Sequence, residues 1–457
     1  MLVEAAHFNV LGPQIHAELA VDGGDLASVF SAYLVALGGL LLLGGHLVDL
    51  LGARRMLVAG LIGCAAADVL GGAADSSGSL ITARALQGAF AALQGAFAAL
   101  LVPAALSLVA TGFTDPRERG RAFGIYTAVA AGGGALGVST GGWIAETLDA
   151  RWALWSVVPL AALALIGALT LLPAHPGRTG ARFDGLGVLL GTAGSAALAY
   201  GLAEAETFSW AVVPSLLLLV GGIALLAGFL WWQTRASGTL LPAYVLADRS
   251  RLASLLAVLL TGVALVVLFP ALGFFAQQVR GQSPAASGVA HLPLVAAALV
   301  VATQVSARLL PRIAPRLMVL PGLVITALGL ALLAGTGGAS TYATGVLPGL
   351  LLAGVGLGLA LAPLYATATA GVAPRHAGAA SAALGAAHHL GQSIGGAVLG
   401  AVVLSRLSHV SDDTDVFART LDAYTTTLWC AVGALLLATL PAALLLRTPR
   451  RDTGATG

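Results

Sequence analysis

The sequence predicts an all-α integral membrane protein that crosses the bilayer fourteen times. Three observations predict it. Of the 457 residues, 58% are apolar and only 9% charged, a balance foreign to a soluble chain of this length. Apolar runs of about 20 residues, enough for one helical crossing of the hydrocarbon core, fill nearly the whole chain. The arginines gather on alternate connections between those runs, as the positive-inside bias requires.

The runs place spans at about 1–20, 27–48, 55–75, 77–110, 119–143, 151–173, 184–203, 211–233, 252–276, 285–310, 316–336, 343–370, 377–404 and 421–446. The longest connections, Ala174–Phe183, Thr234–Arg251 and Ser405–Leu421, are short loops with no room for a soluble catalytic domain. The first apolar run starts at Met1 without a basic leader, so no cleavable signal is expected. Trp143, Trp152, Trp155, Trp210, Trp231 and Trp232 fall near span ends, where an interfacial aromatic belt belongs.

All 22 basic residues are Arg. One side carries Arg54, Arg55, Arg117, Arg119, Arg121, Arg178, Arg182, Arg235, Arg249, Arg251, Arg308, Arg312, Arg316, Arg375, Arg447, Arg450 and Arg451. The other carries Arg151, Arg280, Arg406 and Arg419, while Arg84 falls inside span 4. Many acids lean away from the Arg-rich side, among them Glu18, Asp22, Asp75, Glu146, Glu204 and Asp413. The Arg-rich side is therefore expected to be cytoplasmic, with both termini on it, in a bacterial inner (plasma) membrane. Cys64 and Cys430 lie within apolar runs, so neither a disulfide nor a metal site is expected. No phosphate-cradling G-x-x-x-x-G-K-[ST] loop and no H-E-x-x-H zinc pair occurs. The reading is of a non-enzyme without cofactor and without nucleic-acid partners.

The connection between spans 2 and 3 reads Gly45-x-Leu47-x-Asp49-x-x-Gly52-x-Arg54-Arg55. Its glycines permit a tight turn and close helix approach. Asp49 and the arginines can pair or complement helix dipoles; the arginines alone also serve as positive-inside anchors. The full spacing resembles the cytoplasmic signature of the major facilitator superfamily, with Ala53 where the family usually has a third basic residue. The resemblance implies a major facilitator fold: two six-helix pseudo-repeat bundles plus two inserted central helices. It implies that Gly45, Asp49, Gly52, Arg54 and Arg55 form a cytoplasmic gate. A faint internal match, Leu47 with Leu309 and Arg54 with Arg316 at equal spacing, agrees with such repeats. The N-terminal bundle is then 1–173, the linker with two extra spans 174–251, the C-terminal bundle 252–446 and the tail 447–457.

Further stretches are similar to the fourteen-helix drug:proton antiporters of that superfamily. Span 1 carries Glu4, where those proteins have Asp, then His7, Asn9 and Pro13. Glu4 and His7 share a helical face. A desolvated carboxylate there suits proton loading, although a residue so near the chain start is equally placed for the wet interface. Span 4 carries Arg84-x-x-Gln87-Gly88 and reaches Pro103. This resembles an R-x-x-Q-G…P element in which Arg and Pro are usually seven residues closer. A tandem heptad, LQGAFAA at Leu86–Ala92 and again at Leu93–Ala99, accounts for the difference. Gln87 keeps the spacing to Arg84 and Gln94 keeps the spacing to Pro103. The added turns leave Arg84 either in a wet cavity or snorkelling at the external interface.

Span 5 carries Gly133-x-x-x-Gly137-Val138-x-x-Gly141-Gly142, similar to an exporter signature that has Pro where Val138 stands. The same glycines serve ordinary close packing. Phe183-Asp184-Gly185-x-Gly187 opens span 7, and Gln277–Pro293 joins spans 9 and 10, as in that group. Span 13 carries His388, His389 and Gln392, with His388 and Gln392 on one face. They suit a pore-lining role or interhelical hydrogen bonds alike. Asp68 in span 3 matches no family element, and packing or the lipid interface accounts for it as readily as function. The resemblance implies a monomeric, proton-coupled exporter of small hydrophobic or amphipathic compounds such as antibiotics, with substrate, protons and lipid as partners. A dedicated exporter of one endogenous metabolite and a transport-impaired binding variant of the same fold remain alternatives.

Overall fold

The computed structural model describes residues 23–73, 80–113, 115–149, 151–173, 177, 184–208, 213–236, 240–336, 341–407 and 413–446. Every regular element among them is helical. Lipid explains this: without water to bond the peptide groups, a spanning segment must satisfy them internally. In chain order the helices are α1 (Gly23–Leu51), α2 (Ala53–Ala73), α3 (Leu80–Gly112), α4 (Pro116–Thr147), α5 (Arg151–Trp155), α6 (Val157–Leu171), α7 (Gly185–Phe208), α8 (Val213–Gln233) and α9 (Ala243–Ala247). They continue with α10 (Arg249–Phe274), α11 (Pro284–Ala290), α12 (Leu292–Val300), α13 (Ala307–Leu309), α14 (Arg316–Ala334), α15 (Leu347–Thr369), α16 (Ala377–Leu407) and α17 (Asp413–Leu445). Three π-helical stretches, Phe275–Val279, Val301–Ser306 and Tyr342–Val346, extend α10, join α12 to α13 and open α15.

Helices thus occupy the positions expected for spans 2 to 14, with spans 6 and 10 broken into consecutive pieces. Ten stretches among the described residues are long and apolar enough to cross a membrane, and Val35–Leu51 is a shorter apolar one. Span 1, with Glu4, His7 and Asn9, lies outside the described residues. Both cysteines are unbridged. The tandem heptad is accommodated as continuous helix, giving α3 its 33 residues.

Packing singles out two helices. α16 touches α1, α3 and α7 from earlier in the chain and α10, α15 and α17 around it. α4 runs along α11, α12 and α13 and also meets α15. The central pair α7 and α8 pack on each other, and α7 docks against α1 and α16. α8 turns Leu217, Val220 and Ile223 outward, a lipid-facing surface.

Asp184 fixes that pair. Its carboxylate accepts the Gly187 amide at 2.9 Å, the Trp232 indole N–H at 2.9 Å and the Gln233 amide at 3.0 Å. Gln233 in turn accepts the Leu241 N–H at 3.1 Å. One buried acid therefore caps α7, holds the end of α8 and orders the chain beyond it. Asp184→Ala leaves three donors unmatched and is expected to cost about 3 kcal/mol. A lowered melting temperature of the detergent-solubilised protein checks this.

Candidate functional site

At the Arg-rich end, α1 and α16 meet backbone to backbone. A Cβ on Gly45 would lie 2.6 Å from the Gly378 carbonyl oxygen, and a Cβ on Gly378 2.4 Å from that of Gly45. Four residues on, Asp49 accepts the N–H of Gly378 at 2.7 Å and of Ala379 at 3.0 Å. These are the first-turn amides of α16, donors that an N-cap residue normally satisfies. Here the cap comes from a helix 329 residues away in sequence. Gly52 turns the chain from α1 into α2 at φ +94°, a conformation that favours glycine. Arg54 then donates to the carbonyls of Ala168 at 3.1 Å and Leu169 at 2.6 Å, the C-terminal turn of α6. Cations complement that end of a helix. Arg55 is exposed.

α9 and the start of α10 reach the same end. Arg251 donates to the carbonyls of Tyr244 and Val245, both at 3.0 Å. The Tyr244 hydroxyl meets His376 Nδ1 at 2.8 Å, two residues before Gly378.

Between the ends lie the polar interior groups. His388 and His389 are half-buried on α16, with ring centroids 5.7 Å apart and nearly perpendicular planes. Among the described residues, neither Nδ1 has a hydrogen-bond partner. Gln392 lies one turn further along the same half-buried stretch. Close packing on α10 fixes this part of α16: a Cβ on Gly391 would fall 1.9 Å from the Leu259 carbonyl oxygen, and one on Gly262 2.6 Å from that of His388. Tyr126 of α4 faces Tyr365 of α15, with ring centroids 6.2 Å apart. Arg84 and Gln87 lie in α3, and their side chains fall outside the described residues. Gln94 is buried and donates its amide to Asp68 of α2. Asp68 is 1% exposed. Of the packing and lipid-interface readings, the burial agrees with packing: Ile62, Val69 and Leu70 form the outward face of α2, and Asp68 points away from it.

At the opposite end, α4 meets α11 through its glycine pattern. Gly137, Gly141 and Gly142 are buried and Gly133 is half-buried. A Cβ on Gly142 would lie 2.4 Å from the Pro284 carbonyl oxygen, and one on Gly288 2.5 Å from the Ser139 Cα. Val138 fits this seam, buried beside Gly288. Just beyond, Glu146 accepts the Ala285 N–H at 2.9 Å. That bond, with help from the Ser283 hydroxyl, holds the exposed Glu146 carboxyl below its ordinary range. A lowered value means the contact is intact above the usual carboxylate range. It is lost as the pH at that face falls through the lowered value. Glu146→Gln is expected to leave transport at neutral pH within about twofold, since the contact is solvent-screened. It should also abolish any acid-induced widening between α4 and α11, read from a spin-label distance across the seam.

The family model of the Major Facilitator Superfamily matches residues 1–396. The chain belongs to the Major Facilitator Superfamily. The puromycin resistance protein pur8 of Streptomyces alboniger is 39% identical over 466 residues, covering 100% of this chain and 91% of that protein. The cephamycin export protein CmcT of Amycolatopsis lactamdurans is 34% identical, covering 85% of this chain and 79% of its own. The multidrug resistance protein Stp of Mycobacterium tuberculosis is 30% identical, covering 89% and 74%. Among solved structures, the human organic anion transporter MFSD10 aligns with a TM-score of 0.62 at 17% identity, covering 96% of each chain. The proton:xylose symporter XylE aligns with a TM-score of 0.64 at 11% identity, covering 98% and 94%. The protein is thus a multi-pass transporter of the superfamily, not an enzyme.

Within this superfamily member, the fold brings Gly45, Asp49, Gly52 and Arg54 together at one end and His388, His389 and Gln392 in the interior. Gln94 joins Asp68 rather than the Arg84 position, ten residues and about 15 Å back along α3. The Tyr126–Tyr365 pair and the Tyr244–His376 bond carry no motif and are visible only in three dimensions.

Proposed function

We propose that the protein is a proton-coupled antiporter that exports small hydrophobic or amphipathic compounds, antibiotics among them. The observation that carries alternating access is the Asp49 cap, a closure joining helices on either side of the linker. The direction, export, follows the relatives, which are named for resistance and export. On this reading fourteen spans cross a bacterial plasma membrane, with both termini and the Arg-rich end cytoplasmic. Residues 1–173 and 252–446 rock as two six-helix bundles about a central cavity, joined by 174–251. The transporter works as a monomer.

The drive is adequate. One inward charge yields about 2.3 kcal/mol per 100 mV. One pH unit adds about 1.4 kcal/mol. Together they hold a roughly several-hundredfold gradient of a neutral drug. Cells expressing the protein should accumulate less puromycin than controls, and a protonophore should erase the difference. A protonophore-insensitive difference would sink proton coupling. A dedicated exporter of one metabolite is the second reading, favoured by the cephamycin export relative. Efflux of several unrelated dyes at comparable rates would eliminate it.

A further inference from the structure

Asp68 is a buried acid to which the gate, the histidine pair and the family elements assign no role. It sits one turn beyond Cys64 on the inward face of α2, 1% exposed. Its carboxyl accepts the Gln94 amide, and its Oδ2 has no partner among the described residues. A purely structural contact with Gln94 would be made as well by Asn, without a charge to hide. Among the described residues, an ionised carboxylate here would have one neutral hydrogen-bond donor, the Gln94 amide, to offset its lost hydration, and burying such a charge is costly.

The tandem heptad explains why the motif arginine does not stand beside this acid. In the register that keeps the spacing to Pro103, the second repeat sets Gln94-Gly95 against the bundle, with a Cβ on Gly95 only 2.4 Å from the Tyr33 carbonyl oxygen. The position three residues before Gln94 is then Ala91. The motif arginine has been carried two turns away, and no cation of α3 stands one turn from the Gln94–Asp68 contact. The groups on the packed elements are few. α1 carries Asp25, Tyr33, His46 and Asp49, and of these Tyr33 shares with Cys64 the cluster around Leu37 and Ala98. α3 otherwise offers Arg84, α5 offers Arg151, and α6 carries no titratable residue. Arg54 and Arg55 lie at the far end of α2, about 20 Å along the helix. That same rod ends in the gate turn at Gly52, so a change in how α2 packs on α3 at Asp68 is delivered to the Arg54 and Asp49 contacts.

We infer that Asp68 is a proton-carrying residue of the transport cycle: neutral when sealed against Gln94, ionised when α2 and α3 part and water reaches it. This rests on the proton-antiport reading above. The test uses the full-length protein in proteoliposomes with puromycin and an imposed pH gradient. Wild type should accumulate puromycin against its gradient. Asp68→Asn should lose at least tenfold of that accumulation while puromycin counterflow without a gradient persists. Asp68→Glu should restore part of the drive with a shifted pH profile. If wild type ignores the pH gradient, the antiport reading fails and takes this inference with it. If wild type is driven and Asp68→Asn is driven equally well, the inference alone fails. Should Asp68→Asn be inactive in counterflow too, Gln94→Ala and Asp68→Glu decide: a displaced pH optimum supports the role, and a wild-type profile in both overturns it.

Discussion

Asp49→Ala should shift the transporter toward the state open at its Arg-rich end and cut export more than tenfold, with normal insertion and stability. The reason is local. Asp49 supplies both acceptors for the first-turn amides of α16, at 2.7 and 3.0 Å. Removing a helix cap costs about 0.5–2 kcal/mol, and the lost charge against the helix dipole adds about 0.3–1 kcal/mol. About 2 kcal/mol falls on one conformation only, because α1 and α16 must separate when this end opens. That moves the balance between states roughly 30-fold. Asp49→Asn keeps one acceptor and drops the charge, so its effect should be intermediate. Spin-label distances between α1 and α16 at this end, with and without puromycin, measure the shift directly. A wild-type distance distribution in Asp49→Ala would show that the cap does not hold the closure.

Gly391→Val is expected to do more damage, and of a different kind. A Cβ at residue 391 would stand 1.9 Å from the Leu259 carbonyl oxygen, which is backbone of α10 and cannot swing aside. The helices must part, forfeiting the adjoining contact between Gly262 and the His388 carbonyl. Overpacking of this sort costs about 1–3 kcal/mol or more, and the displaced segment carries His388, His389 and Gln392. We expect a melting temperature lower by several degrees and at least a tenfold loss of efflux. Gly273→Ala on α10 is the matched control, since its Cβ meets nothing within 4 Å. Equal behaviour of the two variants would remove the packing argument.

Much of this was legible in the residues, for physical reasons. Apolar length and arginine sidedness are set by the bilayer itself, so they fix where helices run before any packing is known. The turn between α1 and α2 was legible because its glycines, acid and arginines keep a spacing that a helix–turn–helix demands. What the spacing left open was the partner. Asp49 was expected to engage charges or helix dipoles, and only the fold names the amides of Gly378 and Ala379 as its donors. Asp68 shows a different gap. Gly60, Cys64, Ala67 and Asp68 lie on one helical stripe of small, buried residues. That pattern marks an inward face, yet a lone acid without a motif reads equally as lipid-facing. The tyrosine pair had no such signal, because residues 126 and 365 meet only through tertiary packing.

The tandem heptad has a further consequence, for the membrane rather than for the cargo. A 33-residue rod is about 50 Å long, against about 30 Å of hydrocarbon. The repeat supplies about 10 Å of the surplus, which tilt, a post rising through the headgroups or local thickening of the lipid must absorb. Hydrophobic mismatch of this kind sorts proteins by bilayer thickness. This transporter should therefore favour thicker membranes, and its activity in vesicles should climb with acyl-chain length beyond the optimum of a variant shortened by seven residues.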